Sequence, residues 1–580
     1  MGRRNLRWLA AGILLVLAWL SVCTSRGGSV VRADSALIMG RVLDQQGQPV
    51  EGAHVTLRSM EDHRAILEAI TEGDGNYALD WDNGTGDAHD PADESLAGGL
   101  ILHLDRSHYH SADVELDGSQ VRSLRAGVAV VLPDATLQRR VGPALWTAAT
   151  VFLVMLAIIA SGTLHNALAA LLGMVLVLAI SYLGDAIYDD LFIFDFDGAL
   201  SYVDWNVVFL IMGMMIVIAV VERTGIFQWL ALTAYRISRG RVTVLVVILM
   251  LIAGVASAFL DNVTTMLLMT PITIQIALVL GISPLALLMP EVMASNVIGV
   301  STLIGTPTNV LIGSYADISF TDFLLNLTPG VLLAFAALVA YSMLAYRKEL
   351  GQADSASPAL VKKLEERAAI TEPVHLRKAG WVGAGMLLLF IFGEQVHLMP
   401  AVTALLGATA LLLWIRPDIE EMIDAVDWTT LVFFIALFVV VGAVQEVGLI
   451  SLIARFMGRL VGDNLILGMI LVTWLSALLS TVVANIPFTA AMLPVVGYLT
   501  AIVPGADGRV LFYCLSVGAA MGGNGSLIGA SANMVTCGIS ERAGYAITYR
   551  YFLKKGLPAL AITVSMALLW LLLRFVLLES

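Results

Sequence analysis

Cysteine is almost missing from this chain. Its 580 residues include 3, Cys23, Cys514 and Cys537, each in an apolar or tightly turned stretch and none in a Cys-x-x-Cys spacing. That excludes a disulfide framework and a cysteine zinc site. Charge is scarce too: Asp, Glu, Lys and Arg make up 14% of the residues against 58% hydrophobic ones, and the mean hydropathy is +0.84. A chain this poor in charge is not a soluble globular protein, and its apolar runs are long enough to cross a bilayer. The net charge of -13 comes partly from an acidic stretch with Asp82, Asp87, Asp90, Asp93 and Glu94, so no nucleic-acid partner is expected.

What is present occurs twice. Asp204-Trp205 to Thr270-Pro271 lies over Asp427-Trp428 to Leu493-Pro494 without a gap, at an offset of 223 residues, matching Gly225 with Gly448 and Asn262 with Asn485. Leu303-Ile304-Gly305 and Asn309 match Leu527-Ile528-Gly529 and Asn533 at an offset of 224. Two related apolar halves, interrupted by Gly, Pro and Asn at corresponding places, are the signature of a secondary transporter with its site between the repeats.

Residues 1–33 read as a signal peptide or signal anchor: Arg3, Arg4 and Arg7 precede the apolar run Leu9 to Val22, and Val31-Arg32-Ala33 offers a small-residue cleavage site. Residues 36–137 differ in kind. Alternating strands such as Ala53-His54-Val55-Thr56-Leu57, parted by Gly-Asp-Gly-Asn turns, predict a small β-sandwich outside the cytoplasm. His103, His108 and His110 gather there, but with no Cys or tight carboxylate partner they read as solvated loop residues before metal ligands. The first transporter repeat spans 143–346, a cytoplasmic linker 347–380, and the second repeat 381–577. About 11 or 12 crossings with two re-entrant hairpins are expected.

Charge bias orients these segments. The loop Asp185 to Asp204 has six Asp and no Lys or Arg, which places it outside. Arg236, Arg239 and Arg241, and the linker with Lys348, Lys362, Lys363 and Arg367, fall inside. The second repeat then starts from the opposite side, so the repeats are inverted; Arg139 and Arg140, outside, depart from the rule.

The interruptions carry the chemistry. Asp261, Asn262, Thr264 and Thr265 lie in the middle of an apolar stretch that ends at Pro271, where a lipid-facing Asp would cost ~2.5 to 3.5 kcal/mol. They are expected to face a protein interior or an aqueous cavity, and the polar cluster recurs at Asn485 and Thr489. A second interruption, Gly299 to Asn309 with Gly305, Thr306 and Thr308, pairs with Gly522 to Asn533, which includes Gly523, Asn524, Gly525, Ser526 and Ser531. Glycine and proline unwind a membrane helix there, freeing carbonyls for a cation and amides for an anion. Helix packing by small residues is the plainer reading of the glycines alone. Asn, Ser and Thr beside them in both repeats tip the balance.

Asp204-Trp205, Glu222-Arg223-Thr224-Gly225, Ser257 to Met266 and Gly522 to Asn533 resemble the melanosomal pink-eyed-dilution group and its bacterial relatives, which belong with arsenite permeases, NhaD-type sodium/proton antiporters and citrate transporters in the ion transporter superfamily. The resemblance covers about 143–577. Gly40 to Asp44, Gly47 to Ala53 and Asp74 to Leu79 likewise resemble carboxypeptidase regulatory-like domains, which implies an accessory module without chemistry of its own. The membrane resemblance implies an all-α polytopic protein with inverted repeats and re-entrant hairpins, an elevator movement and a homodimer. Relatives commonly have Asp-Asn-Ile-Pro and Gly-Asp-Pro-Pro-Asn where this chain has Ala484-Asn485-Ile486-Pro487 and Gly305-Thr306-Pro307-Thr308-Asn309. Two acidic positions are neutral here, which leaves Asp261 as the main titrating cation ligand and Glu291 as the second.

The expected function is secondary transport of a small inorganic or organic ion across the cytoplasmic membrane. The cargo is an anion such as arsenite or a carboxylate, or sodium exchanged for protons. No cofactor is needed beyond sodium or a proton as coupling ion, with sodium at Asp261, Asn262 and Asn309. A passive channel is the alternative. An intramembrane serine hydrolase at Gly525-Ser526 needs a base within hydrogen-bond reach, and His165 and His397 lie at predicted helix ends.

Overall fold

The computed structural model describes residues 35–351 and 371–578, apart from 46, 48, 61–64, 83–98, 127, 185, 240 and 507. The signal segment 1–33, Cys23 and most of the linker lie outside the described residues. The chain divides into two compact units, 1–141 and 142–580.

In the first unit, alternation of apolar and polar residues builds two sheets around one core. One has strand order β4-β1-β9-β6, from β1 Ser35–Asp44, β4 Asn76–Asp82, β6 Tyr109–His110 and β9 Ala135–Arg139, with β8 Val130–Val131 also paired to β1. The other has the order β3-β2-β5-β7, from β2 His54–Ser59, β3 Ala65–Ile70, β5 Leu100–Asp105 and β7 Ala112–Glu115. Ile38, Val42 and Leu79 from the first sheet meet Val55, Leu57, Leu102 and Leu104 from the second in a shared core. The turn before β4 needs its glycine. Gly75 has φ +77°, and a Cβ there would lie 2.5 Å from the Val42 carbonyl oxygen. His103 pairs with Asp113 at 2.6 Å, and no metal-holding cluster of His, Cys, Asp or Glu occurs among the described residues.

The second unit is helical. Eleven of its described helices are long and apolar enough to cross a membrane. The helices of this unit, long and short, begin with α1 Pro143–Ser161 and α2 Asn166–Ala179. Next come α3 Trp205–Glu222, α4 Ile226–Ser238, α5 Val242–Phe259, α6 Asn262–Val279, α7 Leu285–Ile298, α8 Pro307–Ala316 and α9 Phe320–Ala345. After the linker follow α10 Pro373–Phe392 and α11 Pro400–Ile415. Apart from the short helices Phe196–Ser201, Arg347–Leu350 and Ile419–Asp424, the remaining ones are α12 Trp428–Glu446, α13 Leu449–Val461, α14 Leu465–Val482, α15 Asn485–Ile502, α16 Val510–Gly522, α17 Ser531–Arg542 and α18 Tyr549–Leu572.

The boundaries of α5 and α14, and of α6 and α15, recur at the sequence offset of 223. The short 3-10 turns Gly299–Ser301 and Gly523–Gly525 recur at 224. One feature differs from the sequence reading. The stretch after Asp261 does not end at Pro271: α6 runs through it, as α15 runs through Pro494. A proline removes one ladder donor, which a packed membrane helix tolerates. The glycine-rich interruptions also shorten the helices before them: α7 has 14 residues and α16 has 13, each stopping where the chain breaks at Gly299 and Gly523, which leaves them below full span length and among the shorter apolar helices.

Candidate ion-binding site

Each half carries the same two backbone interruptions. After α5, Leu260 is extended (φ -115°, ψ 152°) and Asp261 starts α6. Its carboxylate accepts the Val263 amide at 2.6 Å, the Thr264 amide at 3.3 Å and the Thr264 hydroxyl at 2.6 Å. This satisfies helix N–H groups that have no internal partner. In the second half, Val483 is extended and Ala484 occupies the capping place, so the first turn of α15 has no side-chain cap.

The second interruption follows α7. The chain turns through Gly299–Ser301, extends at Thr302, and restarts as α8 with the Thr306 hydroxyl accepting the Asn309 amide at 3.3 Å. The backbone here is close-packed: a Cβ at Gly305 would collide with the Gly299 carbonyl and lie 2.9 Å from that of Ser257, which only glycine avoids. Asn309 braces the break, donating to the Val300 and Thr302 carbonyls at 2.9 and 2.8 Å and accepting from Ser516 at 2.6 Å. Asn533 does the same after α16, donating to the Gly523 and Ser526 carbonyls at 2.7 and 2.8 Å. Here too the caps differ between halves: α17 begins after Ala530, without a side-chain cap.

Between these elements lies a cavity of about 420 Å³. Asp261, Thr264, Ile304, Pro307 and Val310 line it from the first half, and Asp427, Thr429, Thr430, Ala484, Ile486, Pro487 and Ser531 from the second. His165, Asn166 and Glu222 also contribute. Of the residues expected from sequence to form the site, the structure puts Asp261, Thr264 and Ser531 on this wall. Others lie within the protein. Asn262 donates to Asn296 at 2.9 Å, Thr265 donates to the Asp261 carbonyl at 2.9 Å, and Thr306 and Thr308 share a 2.9 Å bond. Thr489 donates to the Asn485 carbonyl at 2.7 Å, and a Cβ at Gly525 would lie 2.6 Å from Thr481 Oγ1. Asn309 shares no hydrogen bond with Asp261 or Asn262 among the described residues. The Asn485 side chain, 4% exposed, finds no partner among them either. The Ser526 hydroxyl donates to the Thr481 carbonyl at 2.5 Å and accepts from Gly529 N–H at 3.1 Å, which leaves it no base.

Sequence reasoning missed two groups. Asn296 is a hub: its Oδ1 accepts from Asn262, and its Nδ2 donates to Asn524 and Asn533, both at 3.0 Å. The amides of both halves meet there, all buried. The signal was Ser295-Asn296, a polar pair inside an apolar stretch. Asp427 served only to mark the repeat. It caps α12, accepting the Thr430 hydroxyl at 2.5 Å, and puts a second carboxylate, from the second half of the chain, on the cavity wall.

The model of the citrate transporter family matches residues 151–507. An uncharacterized transporter of Mycobacterium tuberculosis (strain H37Rv) is 35% identical over 429 residues, which is 74% of this chain and 98% of that protein. The P protein of Homo sapiens is 32% identical over 486 residues, 70% of this chain and 57% of that protein. Among solved structures, the YdaH transporter of Alcanivorax borkumensis aligns over 71% of this chain and 99% of its own with a TM-score of 0.46 and 14% identity.

Proposed function

The chain belongs to the citrate transporter family, and we propose that it is an ion-coupled secondary transporter of a small anion. It is a multi-pass membrane transporter and not an enzyme. The observation that carries the proposal is the division of the cavity wall. On the first half, Asp261 caps its helix and contributes a carboxylate beside the Thr264 hydroxyl, a donor set suited to sodium or a proton. On the second half, Ala484 and Ala530 leave the first turns of α15 and α17 uncapped where Ile486 and Ser531 reach the cavity. Helix N-termini with free N–H groups favour an anion. The family's description favours a carboxylate within that class.

In this reading the two halves are inverted repeats whose α5–α6 and α14–α15 pairs form re-entrant hairpins, and the cavity is carried across the bilayer by an elevator movement in a homodimer. The Asp-rich loop before Asp204 and the Arg cluster at 236–241 support that orientation, with residues 36–137 outside the cytoplasm of a cytoplasmic-membrane protein. The sodium site keeps Asp261, beside the Thr264 hydroxyl; Asn262 stands behind it, tied to Asn296. Asn309 acts as the brace of the broken helix beside it.

Ala484→Asp tests the anion assignment, because the new carboxylate would cap α15 and place a negative charge over its first-turn amides. Citrate uptake into proteoliposomes should be lost while the protein still inserts and melts near the parent temperature. Undiminished citrate uptake would refute the assignment. Loss of nothing but a sodium–proton exchange signal would favour antiport served by Asp261 and Asp427.

A further inference from the structure

A polar file with a carboxylate at its head runs through the first half of the transporter and is not repeated at the matching positions of the second. Glu291, in the middle of α7, is 0% exposed. Its Oε1 accepts from the Thr273 hydroxyl at 3.1 Å, and its Oε2 has no partner among the described residues. Ser295 stands one turn further on the same face, also fully buried, with its hydroxyl unpartnered. One more turn along is Gly299. A Cβ there would lie 2.9 Å from Ser257 Oγ, a further fully buried hydroxyl without a partner. The file thus spans about 12 Å of helix and ends at the broken segment, where Thr302 donates to the Ala258 carbonyl.

Hydroxyls inside a helix usually return their hydrogen bond to a carbonyl of the preceding turn. Ser257 and Ser295 do not. The second half supplies the control. At the repeat offsets Glu291 is matched by Leu515 and Ser295 by Ala519, and Ser257 is matched by Ser480, whose hydroxyl donates to the Ala519 carbonyl at 2.6 Å. At these matched positions the second half has two apolar residues and one hydrogen-bonded hydroxyl; its own unpartnered hydroxyls, Thr473 and Ser476, stand elsewhere on α14 and accompany no carboxylate.

No cation pairs with Glu291 among the described residues. Of the helices packed on α7, α5 has no charged residue, and Asp261 stands at the head of α6. Asp322 lies in the first turn of α9, Arg509 precedes α16, and Glu541 and Arg542 end α17. Arg550, Lys554 and Lys555 occupy the first turns of α18. The tyrosines and cysteines of these helices, including Tyr513, Cys514 and Cys537, make no hydrogen bond to it either. An ionised carboxylate there would keep one hydroxyl donor and no counter-charge, which a membrane interior penalises strongly.

We propose that Glu291 holds a proton in this conformation and exchanges it with the broken segment along Ser295 and Ser257, as a proton-coupling group separate from Asp261. This deepens the ion-coupled reading. The proton leaves Oε2 as the carboxylate forms, and passes between hydroxyls about 6 Å apart through one bridging water per step to the cavity side. Uptake reverses the path, so no other reactant is needed.

The test uses infrared spectroscopy of the full-length protein in lipid, with deuterated buffer as the probe. The expected results are loss of a carboxylic-acid C=O band at neutral pH in Glu291→Gln, retention of that band in Asp261→Asn, and slowed deuterium shift of the band in Ser295→Ala and Ser257→Ala. Gln keeps the acceptor for Thr273, and its melting temperature reports intact folding. If Glu291→Gln fails to insert, Glu291→Asp tests the same assignment through a shift in the band's frequency. An undisturbed band in the Glu291 variants overturns the proposal, as does deuterium exchange at the parent rate in both serine variants. Ala484→Asp leaves this band in place, so failure of the anion assignment and failure of this inference are separable.

Discussion

Asp261→Asn separates the structural work of this residue from its electrical work. The side chain holds the Val263 and Thr264 amides and the Thr264 hydroxyl, so one group both starts α6 and charges the cavity wall. Asn caps helices about as well as Asp, so the amide bonds survive, and the cost is the interaction of a charge with the helix start, about 0.3–1 kcal/mol. Asp261→Ala also forfeits the cap, for about 0.5–2 kcal/mol. The electrical loss is larger. One coupled cation entering down a tenfold concentration gradient supplies about 1.4 kcal/mol, or roughly tenfold accumulation of the anion moved with it. In proteoliposomes with a tenfold inward sodium gradient and no membrane potential, the parent should reach accumulation of that order per coupled cation, and Asp261→Asn should equilibrate without accumulating. Melting temperatures should fall slightly for Asn and further for Ala. An Asn variant that concentrates anion like the parent would remove Asp261 from coupling.

Asn296→Ala strands Asn262 Nδ2 and the Asn524 and Asn533 side-chain oxygens in a buried site, at about 1–3 kcal/mol for each group; its melting temperature should drop well below that of Asn485→Ala, whose side chain has no partner to strand. A cysteine at Ser355 should be protected from a membrane-impermeant thiol reagent in intact cells while one at Asp197 reacts, and labelling of both from outside would contradict the inverted orientation. In the β-domain, the Asn76 backbone N–H, outweighing desolvation, holds exposed Asp74 below the usual carboxylate range. A depressed carboxylate stabilises the fold above its unfolded range and loses that contribution as pH falls through its folded one. Hydrogen exchange of the β1–β4 pairing should therefore quicken less on acidification in Asp74→Ala than in the parent.

How far the sequence could be read follows from what each signal measures. Apolar length identified the membrane helices, and strand alternation with the Asp74-Gly75-Asn76 turn identified the β-domain, because both patterns are local. Self-similarity located Asp261, Asn309 and Asn533 at the breaks. It was blind to differences between the halves at other positions, and Asn296, opposite Ala520 at the 224 offset, is such a difference. Asp427 escaped for the opposite reason: its match with Asp204 made it a landmark, while only the folded chain shows it on the same cavity as Asp261. Helix ends were also local misreadings. Pro271 marks a stop in a solvated helix, but packing holds α6 together beyond it.

Coupled flux is the most direct measurement of the central claim. Purified protein in proteoliposomes should take up citrate or a comparable small anion against its gradient when a sodium or a proton gradient is imposed alone, and Asp261→Asn should abolish that uphill movement. Flux that only ever runs downhill, whichever gradient is imposed, would make the protein a channel and contradict the account.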